Sequence, residues 1–193
     1  MMRILFVCTG NTCRSPLAEG MLRMMLQQEN VHAEVRSAGV SAFDGGAISF
    51  NSRKILQEAG FQGQIVSNSI GRNLAVWADL ILTMTNGHKR MVIGQFPEAM
   101  DKTFTLKEYV QNDPNVLSAI EERGRIEAEM QLKQALGQPI SAEDWRRIEL
   151  LADQIPDMDI SDPFGGSLEI YRITAQEIEQ CLRKLIEKLK HQS

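Results

Sequence analysis

The junction at residues 4–17 constrains this chain more than any other stretch. An unbroken apolar run, Ile4-Leu5-Phe6-Val7, leads directly into Cys8-Thr9-Gly10-Asn11-Thr12-Cys13-Arg14-Ser15, and Ser15-Pro16 then opens a helical pattern. Apolar residues in succession, without polar alternation, suit a strand covered on both faces, as in a parallel sheet. Ser15 suits an N-cap and Pro16 the first helical position. Leu17, Met21, Leu22, Met25 and Leu26 then recur on one side of the helix.

The same alternation continues. Strands are expected at 33–37, 80–84 and 103–106, with helices at 51–59, where Gly60 stops the chain, and near 88–96. A long amphipathic helix closes the sequence, with Ile170, Ile173, Ile178, Leu182, Leu185, Ile186 and Leu189 as its apolar face. Strands alternating with helices predict an α/β fold whose parallel sheet is covered on both faces. One stretch, at about 110–158, holds no strand candidate. Asp113-Pro114 starts a helix running to about Leu136, Gly137-Gln138-Pro139 turns the chain, and Ser141 with Asp144 caps a second helix carrying Trp145, Ile148, Leu151 and Ile155. It reads as a helical hairpin inserted into a single domain spanning 1–193.

Composition narrows the functions. With 193 residues, 43% hydrophobic and 24% charged, the chain has the makeup of one soluble globular domain. A net charge of −4 provides no basic field for a nucleic-acid backbone, and no apolar run reaches membrane-spanning length. The three cysteines, Cys8, Cys13 and Cys181, do not look like a disulfide framework, so a cytoplasmic setting is expected. His32, His88 and His191 are scattered, so no metal site and no cofactor are expected.

The chemistry concentrates in the loop from Cys8 to Ser15. Between a parallel strand and the next helix, successive backbone N–H groups and the helix dipole favour an anion. The backbone donors of Thr9, Gly10, Asn11, Thr12, Cys13 and Ser15 would cradle a phosphate. Gly10 is expected to allow the tight path and Asn11 to tolerate a left-handed conformation. Arg14 supplies a planar fork for two phosphate oxygens. Cys8, inside that ring of donors, is placed to attack as a thiolate, with the Ser15 hydroxyl bonding the sulfur.

Cys8–Ser15, continued by Pro16-Leu17-Ala18-Glu19, resembles the signature of the low-molecular-weight protein-tyrosine-phosphatase family. The resemblance extends through Arg36-Ser37-Ala38-Gly39-Val40, Ala78-Asp79-Leu80-Ile81-Leu82 and Asp162-Pro163-Phe164-Gly165-Gly166, covering most of the chain outside the hairpin. It implies a three-layer sandwich with a four-stranded parallel sheet and a cysteinyl-phosphate intermediate. It also implies a general acid in an Asp-Pro loop near the C-terminus, which selects Asp162 over Asp113. By the same resemblance Asn11, Ser15 and Ser37 share hydrogen bonds that hold the loop. Cys13 matches a second loop cysteine able to form a reversible disulfide with Cys8; a small buried residue is its other reading.

Thr12 stands where tyrosine-directed members usually carry a bulkier apolar side chain, and it resembles the arginine-phosphatase branch; Phe164-Gly165-Gly166 points the same way. Phosphorylated proteins, with phosphate on arginine, are therefore the expected substrates, and phosphotyrosine the alternative. Arsenate reductases of this fold relay oxidation through cysteines near the third strand, where 80–88 contains none. A non-catalytic scaffold is a further alternative, disfavoured by intact Cys8, Arg14 and Asp162. The sequence departs from the family at 44–50, where Pro is common before the helix, and at the hairpin, expected to be a decoration, a lid, or a contact for a partner or second copy.

Overall fold

The strand expected at the start of the chain is the middle of the sheet. In the computed structural model, which describes residues 1–191, the elements begin β1 (Met2–Cys8), α1 (Arg14–Gln28), β2 (Ala33–Gly39), α2 (Phe50–Glu58), α3 (Arg72–Trp77) and β3 (Leu80–Thr83). They continue α4 (Asn86–Gln95), a 3-10 turn at Pro97–Lys102, β4 (Thr103–Thr105), α5 (Leu106–Tyr109), α6 (Pro114–Ala135), α7 (Ala142–Ala152) and α8 (Leu168–Lys190). The four strands are parallel in the order β2-β1-β3-β4, with Cys8 opposite Gly39 and Val7 opposite Thr83.

Ile4, Leu5, Phe6 and Val7 are fully buried because successive side chains of β1 enter different layers. Ile4 and Phe6 join α1 and α8 on one face; Leu5 and Val7 join Ala75, Ile81, Val92 and Phe96 on the other. Burying each of these large side chains stabilises the fold by roughly 1.5–3 kcal/mol, so a charge at Leu5 would break the sheet at its centre. The result is the expected three-layer α/β sandwich.

Three local expectations change. Helix α1 starts at Arg14 behind an N-cap at Cys13 that makes no side-chain cap bond, because the Ser15 hydroxyl is drawn into the loop instead. Leu106 begins α5 rather than ending β4, since Thr105 and Glu108 close a reciprocal capping box there. On α8, Ile170 and Ile173 are exposed, while Tyr171, Thr174, Ala175, Ile178, Leu182, Leu185, Ile186 and Leu189 are buried. At 100° per residue, Ile173 stands about 140° around the helix from Ile178. The short α3 had no sequence expectation.

The chain divides into two compact units, Met1–Val110 with the segment from Asp159 onward, and Gln111–Met158. Within the second, α6 is capped by Asp113 with Pro114 following, and Gly137 at φ 66° ends the linker's first turn. Ser141 and Asp144 close the capping box of α7, and Lys133 reaches Asp144 at 2.7 Å to join the two helices. Trp145 and Leu150 on α7 are exposed.

Candidate active site

The loop after β1 is held from outside by its carbonyls. Cys8 O accepts from Val40 N at 3.0 Å, Thr9 O from Ser41 N at 2.9 Å and Thr12 O from Ser49 N at 2.8 Å. Gly10 O accepts from Ser67 Oγ at 3.0 Å, and Cys13 O from Ser52 Oγ at 3.2 Å. Each carbonyl is thereby turned outward. Among the described residues, no backbone N–H from Thr9 to Cys13 donates to a protein acceptor. Buried or half-buried donors without partners are costly. An anion in the loop would satisfy them.

A second set of bonds holds the loop from within. Asn11 is buried, with φ 51°, the left-handed conformation expected of it. Its amide donates to Ser15 Oγ at 2.9 Å and Ser37 Oγ at 2.8 Å, and its Oδ1 accepts from Asn68 N at 2.7 Å. Both hydroxyls receive a proton from Asn11 and keep their own to give. The Ser37 hydroxyl donates a hydrogen bond to the buried Glu19 carboxylate, which Arg23 pairs at 2.5 Å. Burial pushes the Glu19 carboxyl above its usual range, against the opposing pull of Ser37 and Arg23. Ser15 Oγ lies 3.0 Å from Cys8 Sγ and 3.4 Å from Ala38 O. The shorter contact directs its hydrogen bond to the sulfur.

Gly10 does not have the part expected of it. Its φ is not in the left-handed region, and a Cβ there would meet nothing closer than Thr12 Oγ1 at 3.6 Å. The glycine that the loop requires is Gly39 on β2, where a Cβ would stand 2.5 Å from Thr9 O and 2.8 Å from Asn11 N. No local pattern marks this need, which exists only because β2 lies beside β1.

A cavity of about 220 Å³ opens over the loop, lined by Cys8, Thr9, Gly10, Thr12, Cys13, Arg14, Asp162 and Phe164. Arg14 is 5% exposed; its Nη2 donates to Asp162 Oδ2 at 2.9 Å and its Nη1 to Ile160 O at 3.3 Å. Its Nε is buried and has no partner. Asp162 is half exposed, with Oδ1 accepting from Phe164 N at 3.2 Å, and Phe164 stands open at the rim. A larger cavity, about 550 Å³ between α2 and residues 61–66, contains none of these groups.

Thus Cys8, Thr9, Gly10, Thr12, Cys13, Arg14 and Asp162 line one cavity, while Asn11, Ser15 and Ser37 support the loop from below. Cys8, Cys13 and Cys181 are free and buried, with Cys181 on α8. Cys13 Sγ contacts Tyr171 OH at 3.1 Å; burial, then Cys13 itself, holds the Tyr171 phenol above its usual range. Among the described residues no group of three His, Cys, Asp or Glu side chains could hold a metal ion. His88, passed over in the sequence because no other histidine lies nearby, bonds the loop through Thr9 at 2.8 Å. Glu19 was legible only as part of the motif after Ser15, with no sign that it would be buried.

A parallel sheet, a loop of unclaimed N–H groups between strand β1 and the following helix, and a cysteine and an arginine lining one cavity point to a class: proteins that hold an oxyanion against a thiol. The sequence model described as low molecular weight phosphotyrosine protein phosphatase matches residues 3–122. The chain belongs to that family. It is 36% identical over 187 residues to a protein-arginine-phosphatase of Geobacillus stearothermophilus, covering 97% of this chain and 95% of the relative. It is 30% identical over 184 residues to the low molecular weight protein-tyrosine-phosphatase PtpB of Staphylococcus haemolyticus, covering 95% of this chain and 97% of that one. Its fold is similar to that of the YwlE arginine phosphatase, solved as a mutant with a phosphorylated active-site serine. The TM-score is 0.72 and the identity 34%, over 98% of this chain and 96% of that chain.

Proposed function

We propose that this family member removes phosphate from phosphoarginine in proteins, with Cys8 as nucleophile. The observation that carries the phosphatase chemistry is the inverted loop, its carbonyls tied outward and its N–H groups unclaimed, sharing one cavity with Cys8 and with Arg14, whose Nε is orphaned. A phosphoryl dianion would satisfy both sets of donors and displace Asp162 from Nη2. Cys8 Sγ attacks phosphorus in line as the P–N bond breaks, and protonated Asp162 gives its proton to the leaving guanidine nitrogen. Asp162 then takes a proton from the water that attacks phosphorus and releases the Cys8 thiolate. Arg14 and the loop donors meet the charge of the transferred group at both steps.

Arginine is favoured over tyrosine by the small polar Thr12 and the carboxylate of Asp162 in the cavity wall, which suit a guanidinium better than an apolar ring. A relative named for arginine and a neighbour with a phosphorylated active-site serine support the same reading. The relative named for tyrosine keeps phosphotyrosine as the second reading. The substrate would be a protein presenting its phosphorylated side chain past the exposed Phe164. A partner or second copy would use the α7 face of Trp145, Ile148 and Leu151, on which Trp145 is exposed. A thiol nucleophile belongs in a reducing compartment, so the cytoplasm is the proposed setting; no described helix is long and apolar enough to cross a membrane.

The test is kcat/KM on matched phosphoarginine and phosphotyrosine peptides with chelator present. The expected result is preference for phosphoarginine, lost in Cys8→Ala. Preference for phosphotyrosine would overturn the substrate, and turnover by Cys8→Ala would overturn the nucleophile.

A further inference from the structure

His88 is buried on α4 and fastened at both ring nitrogens. Thr85 Oγ1 lies 2.8 Å from Nδ1, and Thr9 Oγ1 lies 2.8 Å from Nε2. Thr85 Oγ1 already accepts the backbone N–H of His88 at 3.2 Å, as N-cap of α4. Its own proton has Nδ1 as the neighbouring acceptor. In a neutral imidazole an accepting Nδ1 leaves the proton on Nε2, so Nε2–H donates to Thr9 Oγ1. The hydroxyl proton of Thr9 is then free, and Thr9 lines the cavity over Cys8.

The opposite tautomer is poorer on both ends. Nδ1–H would make Thr85 Oγ1 accept twice and leave its proton without a ring acceptor. Nε2 would capture the Thr9 proton and turn a Thr9 lone pair toward the incoming anion. A one-way chain, Thr85 to His88 to Thr9 to cavity, satisfies every member and strengthens each link. The ring also stays neutral: burial first, then the Arg14 charge, push its pKa down to about 4, with Asp159 and Asp162 opposing.

We propose that the Thr9 hydroxyl donates a hydrogen bond to the bound phosphoryl group, and that His88 is the positioning residue that aims it through Nε2–H. The loop would thus present a side-chain donor in addition to its backbone donors. The inference rests on the loop being a phosphoryl cradle.

Binding of inorganic phosphate tests it, measured for wild type, Thr9→Ser, Thr9→Val, His88→Phe and the Thr9→Val/His88→Phe double variant. Thr9→Ser should keep wild-type affinity, and Thr9→Val should lose about tenfold, the effect of one hydrogen bond to a charged acceptor. His88→Phe should lose a similar amount alone and nothing further when added to Thr9→Val. Nitrogen-15 NMR of the imidazole in the wild-type protein gives a readout independent of any variant's folding. It should show Nε2–H with Nδ1 unprotonated at neutral pH. Wild-type affinity in Thr9→Val, or an Nδ1–H tautomer, would overturn the inference and leave the phosphatase reading standing. Absence of phosphate binding by the wild-type protein would overturn both.

Discussion

Gly39→Ala should damage stability and catalysis together, although Gly39 does not line the cavity. Its added Cβ would stand 2.5 Å from Thr9 O, 2.8 Å from Asn11 N and 2.8 Å from Ala42 Cβ, where ordinary contact begins near 3.4 Å. The deficit is about 0.9 Å at Thr9 O and 0.6 Å at Asn11 N, both backbone atoms with no rotamer to change. Gly39 cannot retreat. Its N–H donates to Asn68 O at 2.8 Å and its carbonyl accepts from Ile70 N at 2.9 Å, while β2 is in register with β1. The loop must therefore move. Overpacking of this kind costs about 1–3 kcal/mol, and a shift approaching 1 Å in catalytic groups costs roughly a hundredfold in rate. Urea unfolding would read the first, and kcat/KM on a small phosphate ester the second. Gly10→Ala is the contrast: its nearest neighbour is at 3.6 Å, and a destabilisation under about 1 kcal/mol is expected. Wild-type behaviour of Gly39→Ala in both assays, or a larger stability loss for Gly10→Ala, would refute the reasoning.

Asn11→Ala removes two buried hydrogen bonds and one part-buried one and leaves an alanine at φ 51°, so urea unfolding should show a loss of about 3–5 kcal/mol. Asp162→Ala should lower kcat roughly 10²–10⁴-fold on poor leaving groups, yet tighten inorganic phosphate by freeing Arg14 Nη2; full turnover of a poor leaving group would sink its role as acid. His88 binds its proton at about 4 when folded and at 6.5 as a free side chain. The unfolded state therefore takes up that proton first, and stability falls as pH drops from 6.5 towards 4, by about 3 kcal/mol at most. That loss should be absent in His88→Phe when unfolding is followed across the window. Tyr171→Phe removes the protonated phenol 3.1 Å from the Cys13 sulfur and should lower the rate of Cys13 alkylation, read by mass spectrometry against wild type.

Much of the site is legible because it is local. Cys8 and Arg14 lie six positions apart on one strand–loop–helix junction, and Asn11 takes its left-handed turn for reasons present in the residue itself. The alternation of apolar runs and helical patterns likewise determined the parallel sheet, since each run had to be covered on both faces. What the residues around Ser15 suggested, a cap for α1, was overruled by tertiary neighbours. Asn11 and Cys8 claim its hydroxyl, and the helix begins two residues earlier without it.

Asp162 marks the boundary between the two kinds of information. Two Asp-Pro pairs compete in the sequence, and resemblance alone chose between them; the fold brings Asp162 to Arg14 across 148 positions, while Asp113 caps α6. The physical reasons for Gly39, Glu19 and His88 lie on the far side of that boundary. A glycine is required at Gly39 because a neighbouring strand passes within contact distance. Glu19 is buried because Ser37 lies across from it, and His88 faces the loop because β3 lies beside β1. Backbone preference and hydrophobic period act over a few residues and are written along the chain. Steric exclusion, burial and hydrogen-bond partnership depend on which segments meet in space, and only the assembled sheet brings them together.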